Sequence, residues 1–89
     1  MKLTYTLRLV NASMLLTVSQ LAKRIGVNPS AVRYYVTKGL ITPTVITSSK
    51  YRKFDESELA KAQMVKKLRD QRYTLDEIGK IMNSWEEEL

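Results

Sequence analysis

The chain has 89 residues, which is enough for one small domain with a single hydrophobic core. It contains no cysteine and no histidine, so disulfide bonds, thiol nucleophiles, the common zinc and iron ligands and imidazole acid-base chemistry are excluded. No apolar run reaches the roughly 20 residues that span a bilayer. We therefore expect a soluble, cytoplasmic protein that is not an enzyme and that holds no metal or other cofactor.

Charge is divided unevenly along the chain. Residues 1–54 hold nine basic and no acidic side chains, whereas residues 55–89 hold six basic and nine acidic ones. An ordinary solvated surface mixes the two signs, so a field of one sign indicates a surface that binds a polyanion. We predict nucleic acid as the partner, ahead of an anionic membrane surface.

The first residues have the pattern of a strand. Apolar and polar side chains alternate from Lys2 to Leu9, with a period of two. We expect residues 1–13 to be an N-terminal extension that contains this strand, and residues 14–84 to form the domain. Residues 85–89 are expected to form an acidic tail that frays, because glutamates are unfavourable at the negative end of a helix.

Two short helices are predicted next. The first begins after Thr17, which forms a capping box with Gln20, and it ends at Gly26. The second helix covers 29–38, with Asn28 as N-cap, proline at the first helical position and Gly39 as the left-handed residue that ends it. Two short helices around a turn that contains glycine form a helix-turn-helix candidate.

The rest of the chain predicts a hairpin and two more helices. Residues 44–54 have the β-branched and alternating pattern of a two-stranded hairpin, which after a helix-turn-helix is a wing. Capping boxes begin the third helix at Asp55, with Glu58, and the fourth at Thr74, with Glu77. The expected buried positions on these two helices are Leu59, Ala62, Met64, Val65, Leu68, Leu75, Ile78, Ile81 and Met82. The predicted fold is mainly α, a winged helix-turn-helix of four short helices with a small β hairpin.

The second helix has two chemically different faces. At 100° per residue, one face carries Ser30, Arg33, Tyr34 and Thr37, and the other carries Val32, Tyr35 and Val36. We assign Tyr35 to the core because it shares the face of Val32. Hydroxyl, arginine and tyrosine side chains on the free face are typical of a recognition helix, although a solvated face of any amphipathic helix has a similar composition.

Several short motifs occur in the order and spacing that are typical of a known protein family. They are Thr17-Val18, Leu21-Ala22-Lys23, Gly26-Val27-Asn28, Val32-Arg33-Tyr34-Tyr35, Lys38-Gly39-Leu40-Ile41, Pro43, Tyr51-Arg52, Phe54, Leu59, Leu68-Arg69 and Tyr73-Thr74-Leu75-Asp76-Glu77-Ile78. From Thr17 to Met82 the chain resembles the DNA-binding winged-helix domain of the MerR family of bacterial transcription regulators.

The resemblance implies sequence-selective binding of double-stranded DNA. The recognition helix 29–38 would enter the major groove, and the wing 44–54 would contact the backbone. The candidate DNA-binding residues are Lys23, Arg24, Asn28, Ser30, Arg33, Tyr34, Thr37, Lys38, Lys50, Tyr51, Arg52 and Lys53. Two orientations stay open for Tyr51, which either contacts DNA or packs onto the first helix.

The chain departs from the MerR pattern at several positions. Val36 stands where a glutamate is common, and Val45 and Ile46 stand where wing arginines are common. Lys50 and Arg72 replace glycines of two turns, so we expect altered loop geometry there, with Lys50 as a phosphate contact. Val45 and Ile46 either face inward or form an apolar patch for a protein partner.

Length is the largest departure from the family. Family members that sense metals, drugs or oxidants continue into a dimerisation helix and an effector region. Residues 83–89 are too few to form either of these. We therefore expect no small-molecule effector and a monomer rather than a dimer. Two alternatives stay open: an architectural DNA-binding protein similar to the excisionases of phages and mobile elements, and a protein-interaction module that pairs strand 3–9 with a partner's sheet edge.

Overall fold

The computed structural model describes the backbone of residues 15–88 and the side chains of residues 15–85. In chain order the elements are β1 (Leu16–Thr17), α1 (Val18–Ile25), α2 (Pro29–Thr37), β2 (Val45–Ile46), β3 (Arg52–Phe54), α3 (Glu56–Asp70) and α4 (Leu75–Glu88). The predicted extension 1–13 and its strand lie outside the described residues. Four helices and a small antiparallel sheet confirm the predicted fold class.

Helix α1 begins and ends where the sequence predicts. The Gln20 N–H donates to Thr17 Oγ1 at 3.1 Å, and the Thr17 N–H donates to Gln20 Oε1 at 2.9 Å. Both halves of the capping box are therefore formed, and they satisfy two backbone donors at the helix start. Gly26 ends the helix with φ 77° and donates its N–H to Ala22 O.

Helix α2 differs in detail from the prediction. Asn28 precedes it, but the Asn28 side chain makes no capping hydrogen bond. The helix ends at Thr37, one residue before the predicted end, and Lys38 is the C-cap. Gly39 follows with φ 76°, so the left-handed residue lies just beyond the cap, where a Cβ would be disfavoured.

The sheet has one strand more than the predicted hairpin. Its order is β1-β3-β2, and both pairs are antiparallel. In β1, Leu16 pairs with Phe54 and Thr17 pairs with Lys53. The sheet therefore ties the wing to the residue that caps α1, which sets the position of the wing relative to the helix-turn-helix.

Only half of the predicted capping box forms at the start of α3. Asp55 Oδ1 accepts from the Glu58 N–H at 3.1 Å. The Asp55 N–H donates instead to Thr44 Oγ1 at 2.9 Å, and Glu58 Oε1 accepts from the Thr42 N–H at 2.7 Å. Glu58 therefore binds the loop before the wing, and the prediction that it completes the capping box is wrong.

Helix α4 begins with the capping box that the sequence predicts. The Thr74 N–H donates to Glu77 Oε1 at 2.8 Å, and the Glu77 N–H donates to Thr74 Oγ1 at 3.1 Å, which completes this capping box. The backbone is helical through Glu88, so α4 includes residues 85–88 of the predicted tail.

The core lies where all four helices and β3 meet. Its largest fully buried side chains are Phe54, Leu21, Ile41, Ile78, Val32 and Val65. Among the predicted positions on α3 and α4, Leu59, Ala62, Val65, Leu68, Ile78 and Met82 are buried, and Met64, Leu75 and Ile81 are partly buried against them. No helix among residues 15–88 combines the length and apolarity needed to cross a bilayer.

Candidate nucleic-acid interface

The two faces of α2 are oriented as the sequence predicts. Val32 is fully buried and Tyr35 is 6% exposed, so this face belongs to the core. The opposite face is open to solvent and carries Ser30, Arg33, Tyr34 and Thr37. Packing of one face therefore leaves the other free to contact a ligand along its length.

Local contacts organise the free face of α2. The Thr37 hydroxyl donates to Arg33 O at 3.0 Å, so in this rotamer Thr37 offers only acceptor lone pairs to a ligand. Lys38 Nζ lies 5.6 Å from the centroid of the Tyr34 ring, within the range of a cation–π contact. The ring, which is half exposed, therefore lies beside a positive charge at the helix end.

An open groove of about 450 Å³ lies between α2, the start of α1 and the wing. Its lining residues are Thr17, Val18, Ser19, Arg33, Lys50, Tyr51 and Arg52. Three of these carry positive charge, and none of the described residues that line it is acidic. The positive end of the α1 dipole faces the same space. Such a groove attracts an anion, because its charges share one sign and reinforce one another.

The structure decides two orientations that the sequence left open. Tyr51 lines the groove and is 69% exposed, so its side chain is not buried against α1. Val45 and Ile46 are 40% and 62% exposed, so the inward-facing alternative is wrong for both. The departures from the usual wing residues therefore place apolar side chains on the surface of the wing.

The turn at the wing tip is formed by Thr47 and Lys50. The Lys50 N–H donates to Thr47 O at 2.8 Å, and the Tyr51 N–H donates to Thr47 Oγ1 at 3.1 Å. Lys50 adopts φ 65°, and Arg72 adopts φ 73° in the turn between α3 and α4. Both residues therefore adopt the left-handed region that glycine favours.

The groove gathers some of the predicted residues and leaves others apart. Arg33, Lys50, Tyr51 and Arg52 line it together. The other predicted residues do not line it: Lys23, Arg24, Asn28, Ser30, Tyr34, Thr37, Lys38 and Lys53. Of these, Lys53 is half-buried and lies next to Arg52 in β3, so its side chain points to the opposite face of the sheet.

Ser19 lines the groove but is not among the residues that the sequence predicts to bind DNA. Ser19 is the second residue of α1, is exposed and lines the groove near Arg33 and Arg52. Its only signal in the sequence is a hydroxyl in the first turn of a helix, a position whose backbone N–H has no partner within the helix. The described residues include no cluster of three Asp, Glu, His or Cys side chains that could hold a metal ion.

Residues 16–85 match the family described as MerR HTH family regulatory protein, where HTH denotes helix-turn-helix. An uncharacterised HTH-type transcriptional regulator of Pseudomonas aeruginosa is 31% identical over 72 residues, covering 81% of this chain and 54% of that protein. The HTH-type transcriptional regulator CueR of Salmonella typhimurium is 29% identical over 68 residues, covering 76% and 49%. The chain thus spans about half the length of the curated relatives it matches.

Solved structures are similar in fold. A MerR family transcriptional regulator from Bacillus cereus superposes with a TM-score of 0.71 at 25% identity, covering 76% of this chain and 51% of that one. HiNmlR, a MerR family regulator lacking the sensor domain and bound to promoter DNA, gives a TM-score of 0.71 at 21% identity, covering 80% and 54%. The arrangement of helices and wing is therefore shared with regulators of transcription.

Proposed function

Because the chain belongs to the family of MerR HTH regulatory proteins, we propose that it binds double-stranded DNA sequence-selectively and acts in transcriptional regulation. The observation that carries this proposal is the groove in which Arg33 of α2 and Arg52 of the wing converge without an acidic neighbour among its lining residues. A duplex seated on α2 would bring a backbone phosphate to that groove.

Each part of the proposed interface has its own task. The free face of α2 would read base edges in the major groove, with Arg33 suited to guanine or phosphate and Ser30 to either. Thr37 would accept a hydrogen bond from a base amino group, because its own hydroxyl proton is donated to Arg33 O. Arg52 and Lys50 would neutralise phosphates beside the wing.

The similarity to HiNmlR supports this proposal, since that regulator was solved on promoter DNA with the same fold. The proposal includes no catalytic step. An architectural role would use the same surface but would show itself as bending of the DNA rather than as regulation of a nearby promoter.

The test is a selection of bound sequences from random duplexes, followed by fluorescence anisotropy with the selected duplex. If about five cations neutralise phosphates, log K against log salt should fall with a slope of about −4.5. A palindromic consensus would indicate two copies on the site, and an unrepeated consensus one copy. A slope near zero would overturn the proposal.

Two variants that each remove one positive charge make the test specific. Arg33→Ala should weaken binding about 10- to 100-fold and reduce the salt slope by about 0.9, because a charge-assisted phosphate or base contact is lost. Lys67→Ala, at an exposed position in the last turn of α3, should change the affinity less than about twofold. Equal effects of the two substitutions would indicate non-specific attraction to the whole protein rather than binding at the groove.

A further inference from the structure

The register of the wing assigns its two exposed aliphatic residues to opposite faces. Ile46 pairs with Arg52, and Val45 pairs with Lys53. Directly opposed residues of an antiparallel pair share a face, so the Ile46 side chain lies beside that of Arg52. Phe54 follows on the same face, two residues further along β3, and is fully buried in the core. Ile46 therefore shares the face of the sheet that carries Arg52 and Phe54, and it lies at the solvent-exposed end of that face.

Ile46 is unusually open to solvent for its residue type. At 62% exposed it is the most exposed of the large aliphatic side chains in residues 15–85. Its neighbour Arg52 lines the groove with Arg33 and Lys50. An apolar side chain therefore lies beside one of the arginines that line the groove, whereas Val45, at 40% exposed, shares the opposite face of the sheet with Lys53.

We infer that Ile46 contacts the carbon face of a deoxyribose in bound DNA, next to the phosphate that Arg52 neutralises. In a nucleic-acid strand each phosphate is followed directly by a sugar whose ring carbons are apolar. Side chains of opposed strand residues lie about 5 Å apart, which matches neighbouring chemical groups along one DNA strand. This inference rests on the proposed function, to which it adds a contact that depends on apolar burial.

The charges around Ile46 favour DNA over a protein partner on this face. Docking of an apolar protein surface here would remove Arg52 and Arg33 from water without a compensating anion, which is costly. A DNA strand supplies phosphates for the cations and sugar carbons for Ile46 at the same time.

The experiment compares Ile46→Thr with the matched substitution Val45→Thr. Threonine keeps the β-branch that the strand favours, so the wing is expected to keep its conformation. Ile46→Thr should weaken binding of the selected duplex about three- to tenfold, because apolar contact area is lost. The salt slope should stay as in the unsubstituted protein, since no charge changes. Val45→Thr should change the affinity less than about twofold, and Ile46→Val should keep most of it.

Several results would overturn the inference. Unchanged affinity of Ile46→Thr, or an equal loss with Val45→Thr, excludes a specific sugar contact by Ile46. A changed salt slope would mean that the substitution acts through the neighbouring Arg52. Melting temperatures and active fractions of all variants separate loss of folding from loss of contact. Failure of the unsubstituted protein to bind any duplex would instead contradict the proposed function, so the two failures are distinguishable.

Discussion

Glu58 holds the backbone of Thr42 from a distance of 16 residues along the chain. Its Oε1 accepts from the Thr42 N–H at 2.7 Å, and its Oε2 lies 3.4 Å from Lys61 Nζ. Glu58 is the one charged side chain that is buried among residues 15–85. Because a buried carboxylate is stable only when it is hydrogen-bonded or paired, this contact fixes the loop that leads from α2 into the wing.

Replacement of Glu58 should therefore destabilise the domain. We expect Glu58→Ala to lower the free energy of unfolding by about 1–3 kcal/mol, because the Thr42 N–H loses its partner and a charge-assisted bond is removed. Glu58→Gln keeps an acceptor oxygen and should cost less. Urea unfolding measures both. Glu56→Ala, at an exposed position in the same turn, is the control, with an expected loss below about 1 kcal/mol.

Substitution of the two adjacent tyrosines on α2 should affect different properties, stability for Tyr35 and DNA binding for Tyr34. Tyr35→Ala should lower the free energy of unfolding by about 2–5 kcal/mol, as does truncation of other core side chains. Tyr34→Ala should leave stability almost unchanged and weaken DNA binding instead, because Tyr34 is half exposed on the free face. Thermal melts and anisotropy separate the two effects. The reverse pattern would mean that the faces of α2 are interchanged.

Arg72 should be a site where glycine stabilises the protein. Its φ of 73° lies in the left-handed region, which costs a residue with a Cβ about 1–2 kcal/mol. Arg72→Gly relieves that cost but adds entropy to the unfolded chain, so a net gain of about 0.5–1 kcal/mol is expected. Gln71→Gly, with φ −87° at the neighbouring position, should instead destabilise. Differential scanning calorimetry would show melting temperatures that move in opposite directions.

Stability should fall on acidification partly through Asp55. Partial burial opposes ionisation, but hydrogen bonds from the Ser57 hydroxyl and the Glu58 N–H outweigh it and lower the pKa of Asp55 below its ordinary value of 3.8. A pKa that is lower in the folded state stabilises the fold above pH 3.8, and this contribution is lost as the pH falls through the folded-state value.

Asp55→Ser tests this pH dependence. Serine retains an oxygen that caps α3, but it does not titrate. The loss of unfolding free energy between pH 6 and about pH 2.5 should therefore be smaller in Asp55→Ser than in the unsubstituted protein. Chemical denaturation at a series of pH values provides the measurement. An identical loss in both proteins would show that Asp55 does not contribute to the acid sensitivity.

Features that depend on neighbours within one helical turn were predictable from residue type and spacing. The capping boxes of Thr17 with Gln20 and of Thr74 with Glu77 join residues three apart, so residue type and spacing were sufficient. The burial of Tyr35 followed from the helical period of a short apolar face. The order of these local signals was also enough for the resemblance to MerR regulators.

Tertiary structure alone decided the contacts that join distant segments. Strand β1 has two residues, too few for a periodic signal, and it exists because Phe54 pairs with Leu16 across the sheet. The spacing of Glu58 from Asp55 fits a capping box. However, the Asp55 N–H donates to Thr44 Oγ1, and the Glu58 carboxylate accepts from the Thr42 N–H instead. The face of Ile46 depends on its register with Arg52, because a shift of one residue reverses every side chain of a strand.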